Sequence, residues 1–137
     1  MLTEKELIGV FEEKSIPVLQ KMLNVEELRV YAYEFPVKYL EENGRVDMIL
    51  EIVQNKNLFD KTNPIIALEF KRDHIKHGPI DQINFYLKVL SKKMYRPNVS
   101  GWLVAPSFSD HEIQEAKKSN IKCLLLDESG NVKFVRM

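Results

Sequence analysis

The sequence predicts a mixed α/β fold, a central β-sheet flanked by helices in the order helix, three strands, helix, strand, helix, two strands. Three observations predict it. Three strand-like runs, starting at Leu28, Arg45 and Ile65, follow one another with only loop-type residues between them, as in a meander. Two stretches of helical spacing, Pro79 to Met94 and Asp110 to Ser119, separate the later strand-like runs. The runs GWLVAP and IKCLLLD are almost wholly apolar, as strands buried on both faces are.

Each element has a local reason. Thr3 and Glu6 form a Thr-x-x-Glu capping box, and Leu7, Ile8 and Phe11 recur at helical spacing behind it. Val18, Leu19, Met22 and Leu23 continue the apolar face, so the helix is expected to reach about Asn24 with a bend at Pro17. In LRVYAYEFPV, Leu28, Val30 and Ala32 alternate with Arg29, Tyr31 and Tyr33, which suits a strand with one partly wet face. EENG is expected to break the chain at Gly44. RVDMILEIV then places Val46, Met48, Leu50 and Ile52 on one face and Arg45, Asp47, Ile49 and Glu51 on the other.

A polar loop from Gln54 to Asn63 leads through Pro64 into IIALEFK. There Ile65, Ala67, Glu69 and Lys71 share one side, and Ile66, Leu68 and Phe70 the other. Pro79 suits a first helical position, and Ile80, Ile83, Leu87, Leu90 and Met94 form a stripe along the second helix. Ser109 or Asp110 caps the third helix, and the turn at ESGN returns VKFVRM as a final edge strand.

The totals narrow the class of function. At 137 residues the chain reads as a single domain, 1–137, long enough to bury roughly two-thirds of the surface its unfolded form exposes. Twenty Lys and Arg balance 20 Asp and Glu, so any affinity for phosphates must come from local clustering. Cys123 is the only cysteine, which excludes an intramolecular disulfide and a Cys-rich zinc site. MLTEKELIGVFEEK has no apolar signal region, and no apolar run approaches the ~20 residues that span a bilayer. The expectation is a cytoplasmic, intracellular protein with no membrane partner.

The charges at the end of IIALEFK define a candidate site. If the second and third strands are neighbours, Asp47 approaches Glu69 across the ladder, where facing Cβ atoms are ~5 Å apart. Two carboxylates that close repel unless positive charge sits between them. A hard cation such as Mg²⁺ would supply it, accepting a few oxygen ligands supplemented by water and phosphate. Lys71 would then orient or help deprotonate a water and stabilise charge developing on phosphorus. On the next helix Gln82 and Tyr86, at i and i+4, carry an amide and a phenol toward the same place. The chemistry expected is metal-assisted hydrolysis of a phosphodiester.

GRVD, LEFK and DQINFY together resemble the Asp, Glu-x-Lys, Gln-x-x-x-Tyr pattern of the PD-(D/E)xK nuclease superfamily. Within it they are most similar to the nuclease domain of the NucS/EndoMS endonucleases, and GWLVAPSFSDHEIQEAKKSNIKCLLLD resembles that domain's closing strand, helix and strand. The resemblance implies a restriction-endonuclease-like sheet. It also implies a Mg²⁺ or Mn²⁺ cofactor held by Asp47, Glu69 and the backbone carbonyl of Phe70, with Lys71 serving the water and Gln82 and Tyr86 in support. A glutamate of the first helix often joins such sites. Glu4 is preferred here, because Glu6 already has a role in the capping box. DNA is the partner implied, with RNA not excluded, in repair or recombination and as a homodimer. The usual proline before the aspartate is replaced by Val46.

Plainer readings stand beside these. A Glu-x-Lys on a strand is most often a solvated ion pair worth about 0–1 kcal/mol. Arg72, Lys76 and His77 in KRDHIKH, and Lys92, Lys93 and Arg96 after the second helix, suit phosphate contacts. The last three equally suit the helix macrodipole. His74 and His77 have zinc-like spacing but no further Cys or His nearby to complete a set. Trp102 and Cys123 read as core. The alternatives in function are a Holliday-junction resolvase of the same superfamily and a noncatalytic nucleic-acid-binding or assembly module.

Overall fold

The computed structural model describes residues 2–39, 42–54, 62–71, 79–93 and 98–136. A first helical segment comprises α1 (Glu4–Val10), a π-helical turn (Phe11–Ser15) and α2 (Ile16–Met22). Thr3 Oγ1 accepts from the Glu6 N–H at 3.1 Å, and Glu6 Oε1 accepts from the Thr3 N–H at 3.2 Å, closing the expected capping box. The departure from α geometry precedes Pro17 rather than falling on it. The Ile16 N–H donates to the Phe11 carbonyl, five residues back, and Pro17 occupies the first turn of α2, where its missing N–H costs little.

Six strands form one sheet in the order β1 (Leu28–Tyr39), β2 (Glu42–Ile52), β3 (Ile65–Phe70), β4 (Val99–Ala105), β5 (Lys122–Leu126) and β6 (Val132–Phe134). β1, β2 and β3 are antiparallel neighbours. β3, β4 and β5 run parallel, and β6 returns antiparallel at the edge. The parallel steps are bridged by α3 (Pro79–Lys93) and α4 (Asp110–Lys118), because a parallel pair needs a long crossover. The expected mixed sheet and element order are therefore observed.

Alternation along β3 divides the core. Ile66, Leu68 and Phe70 pack with Leu7, Phe11, Ile16 and Leu19 of the first helical segment, and Trp102 and Val104 join them. Ile65 and Ala67 face the other way, against Tyr86, Val89 and Leu90 of α3. Ile80, Ile83, Leu103, Ala116 and Cys123 complete the layer under α3 and α4. Trp102 is core as expected, edge-on to Phe134 with ring centroids 5.1 Å apart. α3 comes so close to β4 that a Cβ at Gly101 would lie 2.4 Å from Ile83 Cγ2.

The first hairpin departs from simple alternation. Val46 packs with Tyr86, whereas Met48, two residues on, packs with Phe11, so the faces exchange at Asp47. On β1 a bulge falls between Val30 and Ala32, and Glu34 adopts a positive φ of 44°. These irregularities twist the distal hairpin toward α3. Gly44 does not end the strand; it pairs with Val37 inside β2, and a Cβ there would lie 2.7 Å from Tyr86 Cε1. The glycine makes room for a ring rather than for a turn.

Candidate active site

The last rung between β2 and β3 joins Met48 to Leu68, so the next position sets Asp47 opposite Glu69. The ladder ends there because a side chain replaces it. Asp47 Oδ2 accepts the Phe70 N–H at 2.8 Å, tying the end of β3 to β2. Glu69 and Asp47 lie close enough for each carboxyl to shift the other. Burial and then the proximity of Asp47 push the Glu69 carboxyl up to about 9. Burial also raises Asp47, against the lowering effect of the Phe70 N–H. Both carboxyls resist ionising together, so the pair is expected to carry a shared proton near neutral pH. Glu69 Oε2 is buried with no hydrogen-bond partner.

Other expected residues surround the pair to different degrees. Tyr86 is fully buried, and its hydroxyl lacks a hydrogen bond of good geometry although it faces the Arg45 backbone and the Gln82 amide. Burial, then the charges of Glu69 and Asp47, push this phenol up to about 12. Gln82 is exposed, one turn before Tyr86 on α3. Glu4 is exposed and raises both Asp47 and Glu69 through its charge. A cleft of about 430 Å³ opens beside Asp47, lined by Glu4, Lys5, Ile8, Tyr33 and Glu34. Tyr33 is fixed over it by donating its hydroxyl to Glu12 of the π-helical turn. Another hollow, of about 390 Å³ between Lys117 and Val135, has no carboxylate in its lining.

Lys71 takes a different direction. Its backbone N–H donates to the Val104 carbonyl at 2.8 Å, which extends the pairing with β4 by one residue. Its side chain is 1% exposed, and the ammonium is ion-paired with Glu112 of α4 and lies near Cys123. Burial pushes the ammonium down and the Cys123 thiol up to about 11. Among the described residues Lys71 makes no ion pair with Asp47 or Glu69. Lys92 is exposed near the end of α3, and Lys93 is that helix's last residue. Arg72, His74, Lys76, His77 and Arg96 lie outside the described residues.

Glu34 and Glu112 were not singled out in the sequence. Glu34 gives no signal there, because its approach to the cleft depends on the strand irregularity. Ser109-x-x-Glu112 is readable as a capping box, but nothing local says that its carboxylate also meets Lys71.

Comparison with known families decides the kinship. The profile of the endonuclease NucS C-terminal domain matches residues 38–135. The chain belongs to this family. No curated protein matches it. Among solved structures, a repair endonuclease from Pyrococcus abyssi superposes with a TM-score of 0.67 at 23% identity, covering 93% of this chain and 48% of that one. An EndoMS–dsDNA complex gives 0.60 at 23% identity, covering 90% and 44%. An XisH family protein from Nostoc punctiforme gives 0.56 at 11% identity, covering 93% and 99%. At these identities the likeness is one of fold. The chain spans about half the length of the first two.

Whether a NucS C-terminal domain with these residues suits a cation is testable on the donor set. Among the described residues no three of His, Cys, Asp and Glu converge as a ready-made metal cluster. Asp47 and Glu69 would supply two carboxylates. That number suits Mg²⁺ or Mn²⁺, which retain waters and are bound through one or two carboxylates plus substrate phosphate. The buried, unpartnered Glu69 Oε2 and the shared proton of the pair both fit a cation taking the proton's place. No helix among the described residues is long and apolar enough to cross a membrane.

Proposed function

We propose that this domain is a Mg²⁺- or Mn²⁺-dependent endonuclease that hydrolyses DNA phosphodiester bonds. The observation that carries the reading is the partly buried Asp47–Glu69 pair at the end of β3, with one carboxylate oxygen buried and unpartnered. Membership of the NucS C-terminal family supports it, as do the repair endonuclease and DNA-bound EndoMS among the structures of similar fold. Asp47, Glu69 and the Phe70 carbonyl would hold the cation. Bound there, it would supply Lewis-acid polarisation of a phosphoryl oxygen and a more acidic water.

The chain's own groups divide the remaining work. The Asp47 bond to the Phe70 N–H fixes the strand end, and with it the direction of the Phe70 carbonyl. Lys71 serves the attacking water and the charge that develops on phosphorus. Tyr86 and Gln82 hold a position beside Glu69, and Glu4 acts from the cleft wall through water. Arg72, Lys76, His77, Lys92, Lys93 and Arg96 are proposed to contact phosphates. A cut on both strands needs two sites, which a symmetric homodimer would provide.

The test is a cleavage screen with Mn²⁺ or Mg²⁺ over single-stranded, duplex, mismatched, flap and four-way DNA, with Glu69→Ala and Lys71→Ala beside the wild type. We expect metal-dependent cleavage by the wild type and at least a ~10²-fold loss in either variant. Cleavage confined to the four-way substrate would make the domain a junction resolvase. Survival of every substrate would leave a noncatalytic binding module.

A further inference from the structure

The carboxylate pair does not explain what fixes the lysine. Lys71 carries its charge on a flexible four-carbon stem, and such a stem needs an immobile partner to hold one place. The partner is the third residue of α4. Glu112 Oε1 accepts from the Ser109 N–H at 3.0 Å and from Ser109 Oγ at 3.1 Å, while the Glu112 N–H donates to Ser109 Oγ at 3.2 Å. Glu112 Oε2 takes the Lys71 ammonium. One carboxylate thus closes a helix cap with one oxygen and holds an amine with the other.

The chain contains its own comparison. The capping box of α1 uses Glu6 in the same motif, and that side chain is exposed and bonded to Thr3. In α4 the corresponding carboxylate is 13% exposed and aimed into the molecule at a residue 41 positions earlier. Capping alone does not require that burial. The Ser109 bonds leave Glu112 little freedom, so the first turn of α4 sets where the ammonium sits, and a helix positions a group more accurately than a loop.

We propose that Glu112 is the positioning residue for Lys71. This rests on the nuclease reading above. An ammonium has three N–H donors, and the contact with Glu112 engages one of them and fixes the place of the other two. Displacing a reacting group by about 1 Å costs on the order of 10²-fold in rate, so Glu112 acts on turnover without touching substrate.

The experiment compares Glu112→Ala, Glu112→Gln and Ser109→Ala with the wild type in Mn²⁺-dependent DNA cleavage, after confirming folding by thermal melting. Glu112→Ala is expected to lower kcat by about ten- to a hundredfold with KM changed by less than about threefold. Glu112→Gln, which keeps an oxygen for the amine if Glu112→Ala fails to fold, is expected to fall between. Ser109→Ala removes the hydroxyl but leaves the backbone N–H on Glu112 Oε1, so it should lower the melting midpoint and lower kcat by less than Glu112→Ala does. A second readout does not depend on turnover. The ¹⁵Nζ resonance of Lys71 should persist in Ser109→Ala and shift or vanish in both Glu112 variants. An active wild type whose folded Glu112 variants keep full kcat, or an unchanged Lys71 resonance, overturns this inference alone. A wild type that cuts no DNA overturns the nuclease reading and this inference with it.

Discussion

Glu69 carries the largest consequence of any single residue. Its carboxyl rises from an ordinary 4.5 to about 9 in the fold. A group with a raised folded pKa contributes stability that is present in full below its unfolded pKa and is lost as pH climbs through the folded one. Stability should therefore decline between about pH 5 and pH 9. Glu69→Gln, a neutral isostere of the protonated acid, is expected to flatten that decline and to stabilise the protein at pH 8 by about 1–3 kcal/mol. Denaturant melts at pH 5 and pH 8 check this, and a variant with the wild-type pH slope would count against the shared proton. The approach of Asp47 to Glu69 was legible from the order of the strands, and the inward place of Tyr86 from the helical spacing of α3. Which carboxylate Lys71 finds was not, since Glu112 lies 41 residues away and only the closed sheet brings them together.

At the level of elements, close approach decides more than propensity. Gly101 lets α3 rest on β4, and a methyl there would meet Ile83 Cγ2 at 2.4 Å. Gly101→Ala should cost about 1–3 kcal/mol, seen as a lower midpoint in chemical denaturation. Gly44→Ala would press on the Tyr86 ring at 2.7 Å. We expect a similar loss of stability, together with a change in Tyr86 fluorescence or ring resonances that Gly101→Ala lacks. The strands and helices themselves follow from alternation and helical spacing. The exchange of faces at Asp47 does not, because it arises from how β1 and β2 pair around Glu34, whose φ is +44°. The π-helical turn was equally hidden. Pro17 marked a disturbance, but the disturbance falls on the turn before it.

For the molecule as a whole, one copy presents one Asp47–Glu69 pair at the carboxyl end of β3, between α1 and α3. On the proposed nuclease reading, a single pair would cut a single strand. On supercoiled plasmid at concentrations where sedimentation shows monomer, we expect nicked circles to accumulate before linear DNA; simultaneous appearance of linear product would mean paired sites from the outset. The most direct measurement is calorimetric titration of the protein with Mn²⁺ near pH 7 in buffers of different ionisation enthalpy. A cation replacing the shared proton should bind with release of about one proton per site, and Glu69→Gln should abolish both binding and release. Binding with no proton released, or undiminished in Glu69→Gln, would contradict a cation site built on this pair.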